Sequence, residues 1–130
     1  MEMSTKQQII SWALLAFSII FNVVANLVVK NVINNISGFS LDSFAQAGDS
    51  IGRLVSNPVG IAGLLSMYLG ASFWMLTISR MDVSTAFPLS MSLNILLIGL
   101  GGILMLGEAL TMDKAIGYAL ILGSIYFLAK

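Results

Sequence analysis

Ser18, Asn22, Asn26 and Lys30 follow one another at four-residue intervals through an otherwise apolar run, IISWALLAFSIIFNVVANLVV over residues 9–29. That spacing puts successive side chains on one face of a helix. Amides and hydroxyls in hydrocarbon are costly unless partnered, so the face is expected to turn into a protein interior or a hydrated cavity. Two readings stand: hydrogen bonds between helices, worth about 0.6 to 2 kcal/mol each, or the wall of a substrate pathway. Lys30, at the mouth of the stripe, is either a point charge for an anionic headgroup phosphate or an anchor at the membrane interface. A second polar group sits in VSTAFPLSMSLN, where Ser90 and Asn94 share a helical face and Ser92 lies on a different side. Pro88 in that stretch removes one backbone bond and invites a bend. The freed carbonyl can be satisfied by a serine or water; alternatively Ser90 and Asn94 form a cavity wall opposite Asn22 and Asn26.

Other chemistry is excluded by composition. The chain has no cysteine and no histidine, which removes thiol nucleophiles, disulfides, imidazole acid–base work and the usual zinc or haem ligands. No nucleophile, base and metal-ligand constellation appears, so no catalytic residue, metal or cofactor is expected and an enzyme is not the expected class. A formal net charge of zero gives no reason to expect nucleic acid as a partner. Glu108 is the one carboxylate near a helix end without an evident capping role, and it is read as an interface residue paired with Lys114 or with backbone donors.

The elements that must position these groups are membrane spans. The 130 residues are 58% hydrophobic and 9% charged, with a mean hydropathy of +0.96, too little charge to cover a soluble surface. The expected fold is an all-α membrane protein, a single domain over residues 1–130, with four transmembrane helices near residues 9–29, 59–79, 85–106 and 112–129. The polar start and the full length of the first apolar run favour a retained helix over a cleaved signal peptide. Asn57 is placed to cap the second helix, with Pro58 at its first position; Ser84 or Asp82 caps the third, and Thr111 the fourth. Short connections make consecutive helices antiparallel neighbours.

The connection over residues 31–57 is longer. Asn34, Asn35, Ser37 and Gly38 read as a turn. Phe44, Ala47, Ile51, Leu54 and Val55 then recur at helical spacing against Asp42, Gln46, Asp49 and Arg53, which predicts a short amphipathic helix over about residues 41–55 at the membrane surface. It serves as a connector shielding the bundle end, or as a lateral gate or headgroup-docking surface. Lys6, Arg80 and Lys130 fall on one side of a four-helix path and Lys30, Arg53 and Lys114 on the other, leaving the positive-inside rule almost nothing to act on. Gly63, Ser66 and Gly70, then Gly99 and Gly102, then Gly117, Gly123 and Ser124 are read as contact faces where small residues let helices approach. Trp12, Tyr68, Trp74, Tyr118 and Tyr126 are expected at interfaces or in packing.

Gly107-Glu108-Ala109-Leu110-Thr111, followed by Ile116-Gly117-Tyr118-Ala119-Leu120-Ile121, resembles the closing motif of the drug/metabolite transporter superfamily. Residues 84–130 carry the likeness, and a first helix ending in Lys30 supports it. A chain of this length with four helices resembles the small multidrug resistance branch, whose members work as dimers, often antiparallel. Multidrug members carry a glutamate in the first helix eight residues before the lysine; Asn22 stands there in this chain. They have tyrosine where this chain has Phe87 and tryptophan where it has Ser90. A cation–proton antiporter needs a carboxylate that alternately binds proton and cation, and Asn22 does not titrate. The paired small subunits proposed to flip aminoarabinose-phosphoundecaprenol are closer. They also lack the glutamate, and they share an Ala86-Phe87-Pro88-like turn and a Ser92-Leu93-Asn94-like piece, with a one-residue gap between the two.

That resemblance implies a multi-pass protein of the bacterial inner membrane, a homodimer or a heterodimer with a similar small subunit. Its partners would be membrane lipids, its task to move a polyprenyl-phosphate-linked sugar between leaflets. Ser18, Asn22, Asn26, Lys30, Phe87, Ser90 and Asn94 are the expected substrate-binding residues. Two other functions remain open: export of small cationic or polar molecules, with coupling through Glu108, and a non-transporting assembly subunit.

Overall fold

The computed structural model describes residues 5–36 and 42–128, and within them the protein is all-helical. Five helices follow in order: α1 (Thr5–Asn35), α2 (Phe44–Ser56), α3 (Pro58–Ile78), α4 (Val83–Leu106) and α5 (Met112–Leu128). Three of them, α1, α3 and α4, are long and apolar enough to cross a membrane. The fourth expected span, α5, has 17 described residues, about 25 Å at 1.5 Å per residue, a little less than the roughly 30 Å of a hydrocarbon core. From 17% to 28% of each span's apolar window is buried. The rest faces outward, as it does in a multi-pass membrane protein where lipid, not water, is the surrounding medium.

α1 is longer than its apolar run. Its 31 residues extend about 46 Å, because hydropathy marks the hydrocarbon boundary whereas the helix ends only where backbone bonding ends. Asn34 and Asn35 therefore belong to α1 and not to a turn; the Asn35 amide donates back to the Asn31 carbonyl at 2.7 Å. Ser37 and Gly38 lie outside the described residues, as does Lys130. Ser43 caps α2 by accepting from the Gln46 N–H at 3.3 Å. Of the apolar residues of α2, Leu54 is buried, while Phe44, Ile51 and Val55 are exposed on one face. Asn57 caps α3, accepting from the N–H groups of Val59 at 2.9 Å and Gly60 at 3.3 Å, with Pro58 at its first turn. Asp82 precedes α4 without a side-chain capping bond, and the Thr111 hydroxyl accepts from Lys114 N–H at 3.3 Å before α5.

The centre of the protein is the pair α1 and α3. Ser11, Ser18, Ala25 and Val32 of α1 are buried at intervals of seven, as are Gly63, Gly70 and Thr77 of α3. A seven-residue repeat of small side chains supports close, left-handed packing. Gly70 is where the backbones come nearest: a Cβ there would stand 3.2 Å from the Asn22 nitrogen and 3.3 Å from the Ser18 oxygen. Gly63 meets Val28 and Val29, so α3 runs antiparallel to α1. α4 lies parallel to α1, with Leu27 over Gly101. α3 and α4 are consecutive yet barely touch, since the small face of α3 is spent on α1. α5 packs on α4 and buries no residue. A Cβ added at Gly117 or Gly123 would have nothing within 4 Å, and Ser124 is exposed, so the small residues of α5 are not a contact face within this protomer.

Candidate functional site

Between α1 and α4 lie two adjoining cavities, of about 190 Å³ and 410 Å³. Asn22, Met91 and Asn94 belong to the walls of both, so they form one cleft. Ser18, Phe87, Ser90 and Trp74 line the smaller part; Ile98, Gly99 and Tyr118 line the larger. The larger part alone falls within the roughly 300–1,000 Å³ of small-molecule sites. Its depth is set by the helices. Asn94 is the twelfth of 24 residues in α4 and Asn22 the eighteenth of 31 in α1, so both amides stand near mid-span.

Five of the seven sequence-expected residues, Ser18, Asn22, Phe87, Ser90 and Asn94, come together on this cleft. Asn26 and Lys30 do not line it. Four residues of helix advance 400°, so each member of the stripe is turned about 40° from the last. Ser18 is accordingly buried in the α1–α3 seam, Asn22 and Asn26 are half-buried, and Lys30 is exposed. Lys30 is about 12 Å along the helix from Asn22 and so stands beyond the cleft, near the end of α1's apolar run.

Each polar group can be followed to its partner. The Ser18 hydroxyl donates to the Leu15 carbonyl at 2.8 Å. The Asn26 amide donates to the Asn22 carbonyl at 2.8 Å and to Asn22 Oδ1 at 2.7 Å. Asn26 is therefore a second residue that holds Asn22. Asn22 lines the cleft, its Oδ1 accepting one of the two bonds it can take and its Nδ2 finding no acceptor among the described residues. Asn94 Nδ2 donates to the Ser90 carbonyl at 2.9 Å and to Ser90 Oγ at 3.3 Å. A carbonyl can only accept, so this amide is locked with its nitrogen toward Ser90. Asn94 Oδ1 consequently points away, and it is buried with no hydrogen-bond partner among the described residues. An acceptor left in that state costs about 1–3 kcal/mol, and the residue bearing it is only 9% exposed.

The walls are uncharged and partly aromatic. Among the described residues no Asp, Glu, Lys or Arg lines either part of the cleft. Phe87 meets Trp74 edge-on with ring centroids 6.1 Å apart. Glu108 is elsewhere: Gly107 turns the chain through a left-handed φ of 68° after α4, and the Glu108 N–H closes onto the Gly102 carbonyl at 3.1 Å. Its carboxylate rests over Gly102, where a Cβ would meet it at 3.0 Å. The expected pairing with Lys114 is not made among the described residues; Lys114 Nζ donates to the Ala109 carbonyl at 3.2 Å. Among the described residues no three Asp, Glu, His or Cys side chains gather as a metal site would need.

Tyr118 and Trp74 are cleft residues that the spacing of polar groups does not single out. The Tyr118 hydroxyl reaches the cleft wall by lying directly against Gly99 of α4. A glycine on one helix matched to a tyrosine on the next is a pairing in space, and only Gly99 itself, a gap in an apolar helix, hinted at it. Comparison with known proteins gives no match: no family model, no curated protein and no solved structure aligns significantly with this chain.

Proposed function

We propose that the chain is a protomer of a membrane transporter of the flippase kind, moving a polyprenyl-phosphate-linked sugar or a similar amphipathic lipid between leaflets. The observation that carries this reading is the uncharged mid-span cleft onto which Asn22, Ser90 and Asn94 converge. Polar side chains gathered at membrane depth mark pathways more readily than packing. In this reading the sugar and phosphate traverse the cleft past Asn22, Ser90 and Asn94 while the lipid tail stays in the bilayer, and Lys30 meets the phosphate at the interface as it enters or leaves. α5 serves as a fourth span, tilted little because it is short, and two such protomers, alike or paired with a similar subunit, enclose the route. The bacterial inner membrane is the setting this implies. No bond-making step is assigned to it.

Transport here is downhill or by exchange, since no carboxylate or amine among the described residues lines the cleft to carry a proton. The exporter alternative routes coupling through Glu108, whose carboxylate rests over Gly102 and outside both parts of the cleft, which favours the flippase reading. The test is flipping of a fluorescent polyprenyl-phosphate glycoside in proteoliposomes with and without an imposed pH gradient. The expected rate is unchanged by the gradient and by Glu108→Gln, and falls at least about tenfold in Asn94→Leu, the loss of one well-placed bond with its partner left bare. Strong gradient dependence, or abolition by Glu108→Gln with Asn94→Leu active, moves the assignment to the exporter.

A further inference from the structure

α2 differs from the spans in carrying charge on one side and apolar residues on the other. At about 100° per residue, Phe44, Ala47, Gly48, Ile51, Leu54 and Val55 fall within one arc of about 120°. Asp49 and Arg53 lie on the far side, paired at 2.9 Å. The bundle uses only one edge of the arc. Leu54 is buried, its carbonyl and Cδ1 standing over Gly60 in the first turn of α3. Phe44 is 98% exposed, Ile51 53% and Val55 45%, and a Cβ added at Gly48 would meet nothing within 4 Å. We infer that this free face is seated in the interfacial layer of the bilayer, at the boundary where α3 begins, and that apolar contact holds it there without selecting lipid charge.

Lipid is the occupant that the surroundings of α2 favour. α3 has 21 residues, about 31 Å of helix, which matches a hydrocarbon core of roughly 30 Å, so Pro58 stands at the boundary. Only Asn57 separates α2 from α3. Its extended backbone, φ −86° and ψ 123°, turns the chain there, and its N–H donates back to the Leu54 carbonyl at 3.3 Å. α2 is thereby tied to the boundary, while the charges of Asp49 and Arg53 keep it out of the core. Leu54 fixes which side is which: it belongs to the arc and is turned onto α3, so the arc faces the span and the charged side faces away. The free part of the arc continues into the lipid-facing surface of α3, where Val59 and Ile61 are exposed. Surface helices that seek anionic lipid carry Lys and Arg along the polar face. Over Phe44–Ser56 the ionisable residues are Asp49 and Arg53, which cancel, so burial of the apolar arc is what holds the helix. The inference is independent of the transport reading, since any cargo or none leaves it unchanged.

The chain has no cysteine, so a single nitroxide label can be attached through Phe44→Cys, Ile51→Cys or Asp49→Cys, each at an exposed position. In phosphatidylcholine vesicles, collision of the label with oxygen, which concentrates in the bilayer, is compared with collision with a water-soluble nickel chelate. The oxygen-to-nickel ratio is expected to be at least about threefold higher at 44 and 51 than at 49, as for a face sunk roughly 5–10 Å into the headgroup and acyl boundary. Adding phosphatidylglycerol is expected to leave all three ratios unchanged. In the Ile51→Cys protein, a further Phe44→Asp is expected to lower the ratio toward that at 49. Equal ratios around the helix mean that the face stands in water or under a soluble protein, and overturn the inference. A ratio at 44 that rises with phosphatidylglycerol overturns it by assigning the hold to lipid charge, as does a label at 51 indifferent to Phe44→Asp. Dipolar broadening between labels at 44 that persists on dilution with lipid puts a second copy of the chain on the face and overturns it too. Loss of flipping with these ratios intact counts against the transport reading alone.

Discussion

Asn26 acts on the cleft through a neighbour. Its amide nitrogen holds both the carbonyl and the side-chain oxygen of Asn22, and this fixes which way the Asn22 amide is turned. Without Asn26 the Asn22 amide is free to turn over, and the cleft wall loses a fixed donor and acceptor orientation for part of the time. Asn26→Leu is therefore expected to slow transport about three- to tenfold, within the range of one intramembrane hydrogen bond. The effect must vanish in an Asn22→Leu background, because a residue that works through another adds nothing once that other is gone. Equal losses from Asn26→Leu in both backgrounds would place Asn26 on the route itself. Spacing alone sets Asn22 and Asn26 side by side as equals. Their hierarchy is not legible there because a four-residue interval states proximity without stating which amide donates. The same interval overstates Lys30, since 40° of drift per step carries the stripe off the cleft.

At the scale of helices, the α1–α3 seam decides whether the cleft exists. Asn22 and Ser18 are cleft residues on their side chains and seam residues on their backbones, both against Gly70. Any side chain at Gly70 must push these backbones apart, and neither the Asn22 nitrogen nor the Ser18 oxygen can rotate away as a side-chain tip would. Gly70→Val is expected to lower stability by about 1–3 kcal/mol, the usual cost of overpacking a close contact, read as an earlier unfolding midpoint in mild detergent titrated with dodecyl sulfate. The comparison is Gly117→Ala, whose added methyl meets nothing within 4 Å; it is expected to be neutral or to stabilise α5 by up to about 1 kcal/mol through helix propensity. A Gly70→Val protein as stable as its parent would mean that α1 and α3 slide without cost. Small residues at 63 and 70 are readable as a contact face, because lipid gives helices no other reason to approach. Their partner is not: short loops suggest that α3 packs on α4, whereas the heptad of Ser11, Ser18, Ala25 and Val32 draws it onto α1. A pattern shared by two distant segments is visible only when both are read together.

For the whole molecule the open question of assembly comes down to α5. Tyr118 and Ile125 turn inward, the first onto Gly99 and the second onto the cluster of Leu15, Ile19 and Leu89. Opposite them Ile116, Leu120, Gly123 and Phe127 form an outward ridge at intervals of four, three and four, with exposures of 57%, 71% and 77% for the three large members. A purely lipid-facing ridge gains nothing from a glycine in its middle, whereas a helix partner gains close approach from one. A dimer built through α5 would also hold Tyr118 and Gly99 in register, since both are fixed to the same helix pair, and so would couple assembly to the cleft. Gly123→Leu fills that notch without touching anything in the protomer, where a Cβ has open space. It is expected to cut the dimer fraction in nanodiscs at least about tenfold at fixed protein-to-lipid ratio, counted by single-molecule photobleaching steps, with helicity unchanged. Transport should fall with it if two protomers enclose the route. A Gly123→Leu protein that remains dimeric would put the partner on another face, and the exposed apolar side of α3, at Leu65, Leu69 and Leu76, is then the surface to substitute.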